Sequence, residues 1–233
     1  MTEGWTIPLW EDADFLAVNK PAGVFVHDSE LDRGAPSLTS VLRKSRDLPR
    51  LSPVHRLDRP TSGVLIFAKT DQGASSFGKM IQARALGKRY IAVVRGVFSE
   101  FVECNHPLKD DDDGVTRDCA TTFARLESWE FPIATKRHAR TRLSLVEALP
   151  LTGRRHQIRR HCKHLGNPIV GDTAHGDGEV NRLARQCLGI GALLLHAREL
   201  WFSHPLSGVE VRIGAPDPAW LDTLRNSGRT FSP

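Results

Sequence analysis

An aspartate between two arginines stands at the centre of Pro53-Val54-His55-Arg56-Leu57-Asp58-Arg59-Pro60-Thr61-Ser62-Gly63-Val64. Cations at Arg56 and Arg59 favour the charged form of the Asp58 carboxyl, an effect that typically lowers an aspartate pKa by about 1–3 pH units. Turn residues Thr61, Ser62 and Gly63 precede the apolar run Val64–Ala68, which places Asp58 at the entrance of a strand. An ionised carboxylate held there can attack an electrophilic carbon. The same residues also suit a loop salt bridge or an Asx turn, and the segment alone leaves both readings open.

Tyr90, in Gly87-Lys88-Arg89-Tyr90-Ile91-Ala92-Val93-Val94, is the only tyrosine against ten phenylalanines. A phenol kept where bulk alone is elsewhere supplied by Phe, Trp or Leu suits a polar role or a stacking platform for a base. A strand tyrosine at the edge of a core fits equally. The third segment is Thr152-Gly153-Arg154-Arg155-His156-Gln157-Ile158-Arg159-Arg160-His161. If it opens a helix, Arg155 and Arg159 share one face, and His156 and Arg160 another. One face then meets phosphates while another aims an arginine at a buried carboxylate. His156, His161, Cys162 and His164 do not make a metal site. Their spacing is irregular, no HExxH is present, and neighbouring arginines repel a cation.

Charge is segregated. From Lys136 to Lys163 nine basic residues (Lys136, Arg137, Arg140, Arg142, Arg154, Arg155, Arg159, Arg160 and Lys163) face a single acid, Glu147. Asp110–Asp113 form an acidic run that reads as a solvated turn. With a net charge of +5 and a pI near 9.3, this points to a polyanionic partner bound through phosphates, although a solvated basic face has the same composition.

The elements that must carry these residues can be read from periodicity. Trp5–Trp10 and Phe15–Asn19 resemble a hairpin, and Val24–His27 resumes strand character after Lys20-Pro21-Ala22-Gly23. Helices are expected over Ser37–Arg46 (cap Ser37), Asp71–Ala83 (cap Asp71), Gln157–Leu165 (ending at Gly166) and Pro218–Asn226 (from Asp217). Strands are expected at Val64–Ala68, Tyr90–Val94, Ala120–Leu126, Arg142–Ala148, Leu193–Phe202 and Val209–Ile213. Many strands with scattered helices and no regular β-α alternation predict an α+β fold with a largely antiparallel sheet. No Pro/Gly/Ser-rich linker is visible, so residues 1–233 read as a single domain.

At 233 residues, 40% apolar and 25% charged, the chain can bury a self-sufficient core. The N-terminus lacks a signal-peptide pattern, and no apolar run approaches the roughly 18 residues of a membrane span. A cytoplasmic protein without membrane association is expected. Cys104, Cys119, Cys162 and Cys187 form no CxxC pair and read as reduced thiols.

Taken together, the segments resemble the RluA-type pseudouridine synthases. The resemblance is carried by His55-Arg56-Leu57-Asp58 with Thr61-Ser62-Gly63, by Lys88-Arg89-Tyr90, and by Gly153-Arg154-Arg155-His156-Gln157-Ile158-Arg159. Gly166-Asn167-Pro168-Ile169-Val170-Gly171-Asp172, Leu195-His196-Ala197 and His204-Pro205-Leu206-Ser207-Gly208 complete it. The blocks run in order from Asn19-Lys20-Pro21 to Gly208, nearly the whole chain. His27 with Leu31-Asp32-Arg33, the stretch Arg56–Leu65, Phe131-Pro132-Ile133-Ala134-Thr135, Arg159-Arg160-His161 and His175-Gly176-Asp177 resemble the TruC branch of that family, which modifies uridine 65 of tRNA. Asn19-Lys20-Pro21 arrives too early for an N-terminal S4 RNA-binding domain.

The resemblance implies a mixed, mostly antiparallel sheet in two halves flanking a basic catalytic cleft. It implies isomerisation of uridine within RNA: the N1–C1′ bond breaks, the uracil turns, and C5 joins C1′. No atom is gained or lost, so no cofactor and no metal are needed. By the same resemblance Asp58 is the nucleophile, with a covalent and a glycal route both open. Tyr90 stacks on the target base and assists at C5, and Arg159 pairs with Asp58, with Arg154 as second choice. Arg56 enters the space left by the flipped base, and Ile158 and Leu195 wall it. Lys20, Arg137, Arg140, Arg155 and Arg160 are expected at phosphates. The implied partner is tRNA, with ribosomal RNA, or both RNAs, as the alternative; the protein is expected to work as a monomer. An RNA-binding or chaperone protein with secondary catalysis, and a glycoside hydrolase using Asp172 as second carboxylate, fit the sequence less well, since Asp172 in its Pro-Ile-Val-Gly-Asp setting reads as structural.

Overall fold

The computed structural model describes residues 5–28, 36–136 and 138–231. In chain order the elements are β1 (Pro8–Glu11), β2 (Phe15–Lys20), α1 (Leu38–Arg46), β3 (Ser52–Pro53), β4 (Ser62–Ala68), α2 (Asp71–Gln82), β5 (Gly87–Arg95), β6 (Phe101–Cys104), β7 (Leu108–Lys109) and β8 (Thr116–Arg117). They continue with β9 (Thr121–Phe131), β10 (Thr141–Pro150), α3 (Gln157–His164), α4 (Gly178–Leu188), β11 (Leu195–Ser203), β12 (Glu210–Gly214), α5 (Ala219–Ser227) and β13 (Arg229–Thr230). The fold is mixed α+β with mostly antiparallel strand pairing. The chain divides into two compact units: residues 1–88 with 197–216, and residues 89–196 with 217–233.

In the first unit the strand order is β1-β2-β4-β11, with β3 on β4 and β12 on β11. Phe15, Leu16, Ala17 and Val18 of β2, and Val64 to Ala68 of β4, are all 0% exposed. Burial on both faces explains why these strands read as continuous apolar runs rather than alternating ones. Phe15, Ala17, Val64, Ile66 and Ala68 share a core with Phe77 and Met80 of α2 and with Leu200, Phe202 and Ile213. Phe77 sits 5.5 Å from Phe15 and 5.3 Å from Phe202, ring centre to ring centre, in the tilted and edge-on geometries aromatic rings prefer. His204 closes the β11–β12 turn. Its Nδ1 accepts from the peptide N–H groups of Leu206 (3.3 Å) and Ser207 (3.1 Å), and Nε2 faces Asp12 Oδ2 at 2.9 Å.

In the second unit β10 lies between β5 and β9, antiparallel to both, with β6 and β13 on β9. Tyr90 pairs with Ala148 and Val93 with Leu145. A register shift in the β9–β10 ladder falls between Leu145 and Val146, which bends and twists a strand pair locally. Trp129 and Phe123, with Leu221 and Leu224 of α5, are fully buried.

The strand-rich expectation holds, with local corrections. Val24–His27 is not a strand. The Phe25 and Val26 carbonyls accept the Leu38 (2.9 Å) and Thr39 (3.2 Å) N–H groups, two of the donors that a helix N-terminus leaves open. Thr70, not Asp71, caps α2, its hydroxyl accepting from Gly73 N at 3.0 Å; Asp71 is the first helical residue, where its charge complements the helix dipole. Pro218, not Asp217, stands at the cap of α5. Helix α4 falls outside the expected set, although Asp177 caps it through Glu179 N and Val180 N and Gly189 ends it at φ 67°, the ordinary signals of a helix start and stop.

Candidate functional site

Asp58 lies in the first unit, on a loop stapled to the segment after β2. The Lys20 ammonium donates to the carbonyls of Pro21 (2.9 Å), Val24 (2.8 Å) and Arg59 (3.0 Å). The Gly23 N–H donates to Arg59 O at 2.8 Å, and Arg59 Nε returns a bond to Gly23 O at 2.9 Å. The Arg59 guanidinium also covers the Phe25 ring at 4.4 Å, a cation–π contact. Thr61 N donates to Asp58 O at 3.0 Å, closing the turn. On the other side His55 Nε2 accepts from Ile66 N at 3.0 Å. Burial, with the Lys88 charge, pushes His55 down to about 4, so it stays a neutral acceptor that ties the loop to β4. Gly63 follows at φ 112°, where an added Cβ would lie 2.2 Å from Ala197 O. Only glycine allows that approach of two backbones.

Lys20 corrects one expectation. It is 0% exposed and its donors face carbonyls, so it does not reach a phosphate. Burial pushes its pKa down to about 7, against the attraction of Asp58, with Arg59 adding to the lowering. Its role is positional. It locks the Asp58 loop, and its ammonium places positive potential beside the carboxylate.

The second unit holds Tyr90, Arg159, Ile158 and Leu195. Tyr90 is buried at the start of the apolar part of β5. Arg159, on the buried face of α3, forms a two-pronged pair with Asp172: Nε to Oδ2 at 2.7 Å and Nη2 to Oδ1 at 2.9 Å. Asp172 Oδ1 also accepts from the Ala174 and His175 peptides, each at 2.9 Å. Burial pushes the Asp172 carboxyl up, but the Arg159 and peptide hydrogen bonds outweigh it and hold it below the usual range. Gly171, at φ 81° with a Cβ position only 1.9 Å from Ala192 O, delivers the chain to Asp172. Nothing in the sequence assigns Asp172 to Arg159, because thirteen residues of separation carry no periodic signal. Ile158 and Leu195 are 6% and 3% exposed.

Gln157 fixes the start of α3. Its Oε1 accepts from the Thr152 hydroxyl (2.6 Å) and Arg154 N (3.0 Å), and its Nε2 donates to Ala120 O and Thr121 Oγ1 (2.9 Å each). His161 Nδ1 lies 3.0 Å from the same Thr121 hydroxyl. A fully used side-chain amide of this kind orients a helix strongly.

The expected phosphate contacts lie at or near the surface. Arg56, Arg154, Arg155 and Arg140 are exposed and Arg160 is half-buried. Arg155 faces Asp111 and Asp112 at 3.6 and 3.8 Å, Arg140 meets Glu130 at 2.7 Å, and Arg160 donates to Lys109 O at 2.8 Å. Exposed pairs of this kind are worth about 1 kcal/mol or less, so a phosphate can displace them. Arg140 and Arg142 line a groove of about 960 Å³ together with Thr135 and Lys136. Asp110–Asp113 do form a turn, between β7 and β8, held by Arg117. Arg137 and Leu31-Asp32-Arg33 lie outside the described residues.

Among the described residues no group of three or more His, Cys, Asp or Glu side chains is placed to hold a metal ion, and no helix is long and apolar enough to cross a membrane. The four cysteines are free thiols, Cys187 exposed and the others buried.

The family model described as RNA pseudouridylate synthase matches residues 14–164. The tRNA pseudouridine synthase C of Vibrio cholerae is 41% identical over 231 residues, 94% of this chain and 95% of that protein. Its counterpart in Pasteurella multocida is 38% identical over 227 residues, 93% of each chain. Among solved structures, Human RNA Pseudouridylate Synthase Domain Containing 1 superposes with a TM-score of 0.77 at 27% identity, covering 100% of this chain and 91% of that one. With the family model matching residues 14–164 and relatives similar along nearly its whole length, this chain belongs to the RNA pseudouridylate synthase family.

Proposed function

We propose that this enzyme isomerises uridine to pseudouridine in tRNA, at position 65, as a cytoplasmic monomer that needs no cofactor. The observation that carries the reading is the 41% identity, across 94% of the chain, to a protein named tRNA pseudouridine synthase C. In this reading Asp58 acts at C1′ of the target nucleotide. Lys20 and Arg59 tie its loop to the segment after β2 without any substrate present. Preorganisation of that kind avoids reorganisation cost at the moment of reaction. Tyr90 stacks on the flipped uracil and assists proton removal at C5. Arg159, oriented by Asp172, is the cation proposed to serve Asp58 in the reaction, with Arg154 as the second choice.

Flipping a stem nucleotide costs a few kcal/mol. Arg56, exposed on the Asp58 loop, fills the vacated stack, while Ile158 and Leu195 wall the base. Arg137, Arg140, Arg155 and Arg160 supply backbone contacts, so recognition rests on shape and a flipped base. The test is to incubate the protein with unmodified bulk tRNA and, separately, ribosomal RNA, and to map pseudouridine chemically. A mark at tRNA position 65 that is absent with Asp58→Ala is expected. A mark in ribosomal RNA alone overturns the tRNA assignment.

A further inference from the structure

His156 and His175 face each other with Nδ1 and Nε2 3.0 Å apart, their rings crossing at 72°. Both are half-buried. His156 sits in the left-handed region at φ 54°, ψ 25°, at the cap position of α3, and its side chain makes no cap bond. A non-glycine residue held there is strained. The ring is directed to His175 instead. The His175 peptide N–H in turn donates to Asp172 Oδ1, the same oxygen that receives Arg159 Nη2. One chain of contacts therefore runs from the head of α3, through two imidazoles and one peptide, to the carboxylate that orients Arg159.

We propose that His156 and His175 are positioning residues for Arg159, forming a proton-sensitive clamp that holds while the pair carries at most one proton and opens when it carries two. The hydrogen bond needs one ring nitrogen with a proton and one without. A single added proton elsewhere on either ring leaves that arrangement intact. With both rings charged, each facing nitrogen bears a hydrogen, no acceptor remains, and the like charges repel. The groups facing His175 decide how hard protonation is. Arg159, Arg160 and Lys163 of α3 oppose it and Asp172 favours it; burial is the largest effect, and the net shift is downward. The clamp is therefore closed above the usual histidine range, near pH 6.5, and opens below it. Loss of the clamp frees the loop of Asp172 and lets the Arg159 guanidinium swing.

The inference rests on the reading in which Arg159 serves Asp58, so its test carries one measurement that does not depend on turnover. Single-turnover rates at saturating unmodified tRNA are compared from about pH 5 to pH 8.5 for the wild type, His175→Gln and His175→Leu. The glutamine keeps a hydrogen-bonding partner for His156 but does not titrate. The leucine keeps bulk and removes the bond. In parallel the NMR resonance of Arg159 Nε–H, which reports its bond to Asp172, is followed over the same pH range. An acid-side fall in rate in the wild type, flattened in His175→Gln with at least half the rate kept at high pH, is expected. His175→Leu should lose about tenfold or more in rate at every pH, the scale expected for a misplaced positioning contact, with RNA affinity within about twofold. The Arg159 resonance should move through the acid transition in the wild type and stay put in His175→Gln. An identical acid limb and an identical Arg159 titration in wild type and His175→Gln overturn the clamp, as does a His175→Leu protein with the wild-type rate. If no RNA is modified at any pH, the functional reading fails, and the Arg159 resonance still decides the clamp.

Discussion

Arg159 and Asp172 meet through two parallel hydrogen bonds of 2.7 and 2.9 Å, with side chains 5% and 1% exposed. Fork-to-carboxylate geometry is the strongest form of ion pair. Removing the carboxylate charge from a buried pair costs about 3–5 kcal/mol. Asp172→Asn is therefore expected to lower the melting temperature by roughly 10 °C for a protein of this size. Because the folded Asp172 pKa is depressed, its contribution is present above about pH 4, the unfolded value, and is lost as pH falls through the folded value. Thermal unfolding at neutral and acid pH checks both; a variant within about 2 °C of wild type at neutral pH shows the charge is dispensable.

Lys20→Met removes a buried ammonium from three part-buried carbonyls, those of Pro21, Val24 and Arg59. A buried group left unsatisfied costs about 1–3 kcal/mol, and water can reach part-buried carbonyls, so a loss of roughly 1–3 kcal/mol in all is expected in urea unfolding. The sign with pH follows from the folded value of about 7 against about 10.4 in the unfolded chain. Between these values the unfolded state binds the proton and the native state does not, so Lys20 makes stability rise with pH across that window. The methionine variant lacks this rise, so its stability relative to wild type should fall further from neutral to alkaline pH; a constant gap would show that Lys20 does not titrate there.

Asp58→Asn preserves shape and removes the carboxylate to which the proposed function assigns the attack at C1′. Pseudouridine formation should fall below detection while tRNA binding stays within about threefold of wild type, a difference of less than 1 kcal/mol. Binding by both proteins should weaken along a straight log–log line as salt rises. Measurable turnover would remove Asp58 from the role, and flat salt dependence would remove the phosphate contacts.

Gly63→Ala puts a Cβ 2.2 Å from Ala197 O at a φ of 112°. Both the clash and the backbone region are unfavourable, so the start of β4, which carries the Asp58 loop, must shift. Strain of about 1–3 kcal/mol from the backbone alone should appear as lost stability and lost rate together. A variant with wild-type melting and turnover would show that β4 and β11 separate easily at this point.

Local pattern and motif order were enough to establish the strand-rich α+β class, four of the helices and the family. Buried strands such as β4 announce themselves as apolar runs, and Asp58, Tyr90 and Arg159 stand in motifs too specific to be accidental. Even α4 was legible in its caps, Asp177 and Gly189. Which residues meet which is a different matter, and there the folded chain alone gives the answer. Lys20 reads as a surface cation from its type and becomes a buried staple because three carbonyls, those of Pro21, Val24 and Arg59, converge on it. Asp172 reads as a structural residue without a named partner and becomes the partner of Arg159; His156 and His175, nineteen residues apart, meet at 3.0 Å. These pairings depend on packing between elements, and the energy that selects them comes from desolvation and from hydrogen-bond geometry across long sequence separations, neither of which leaves a periodic trace in the chain.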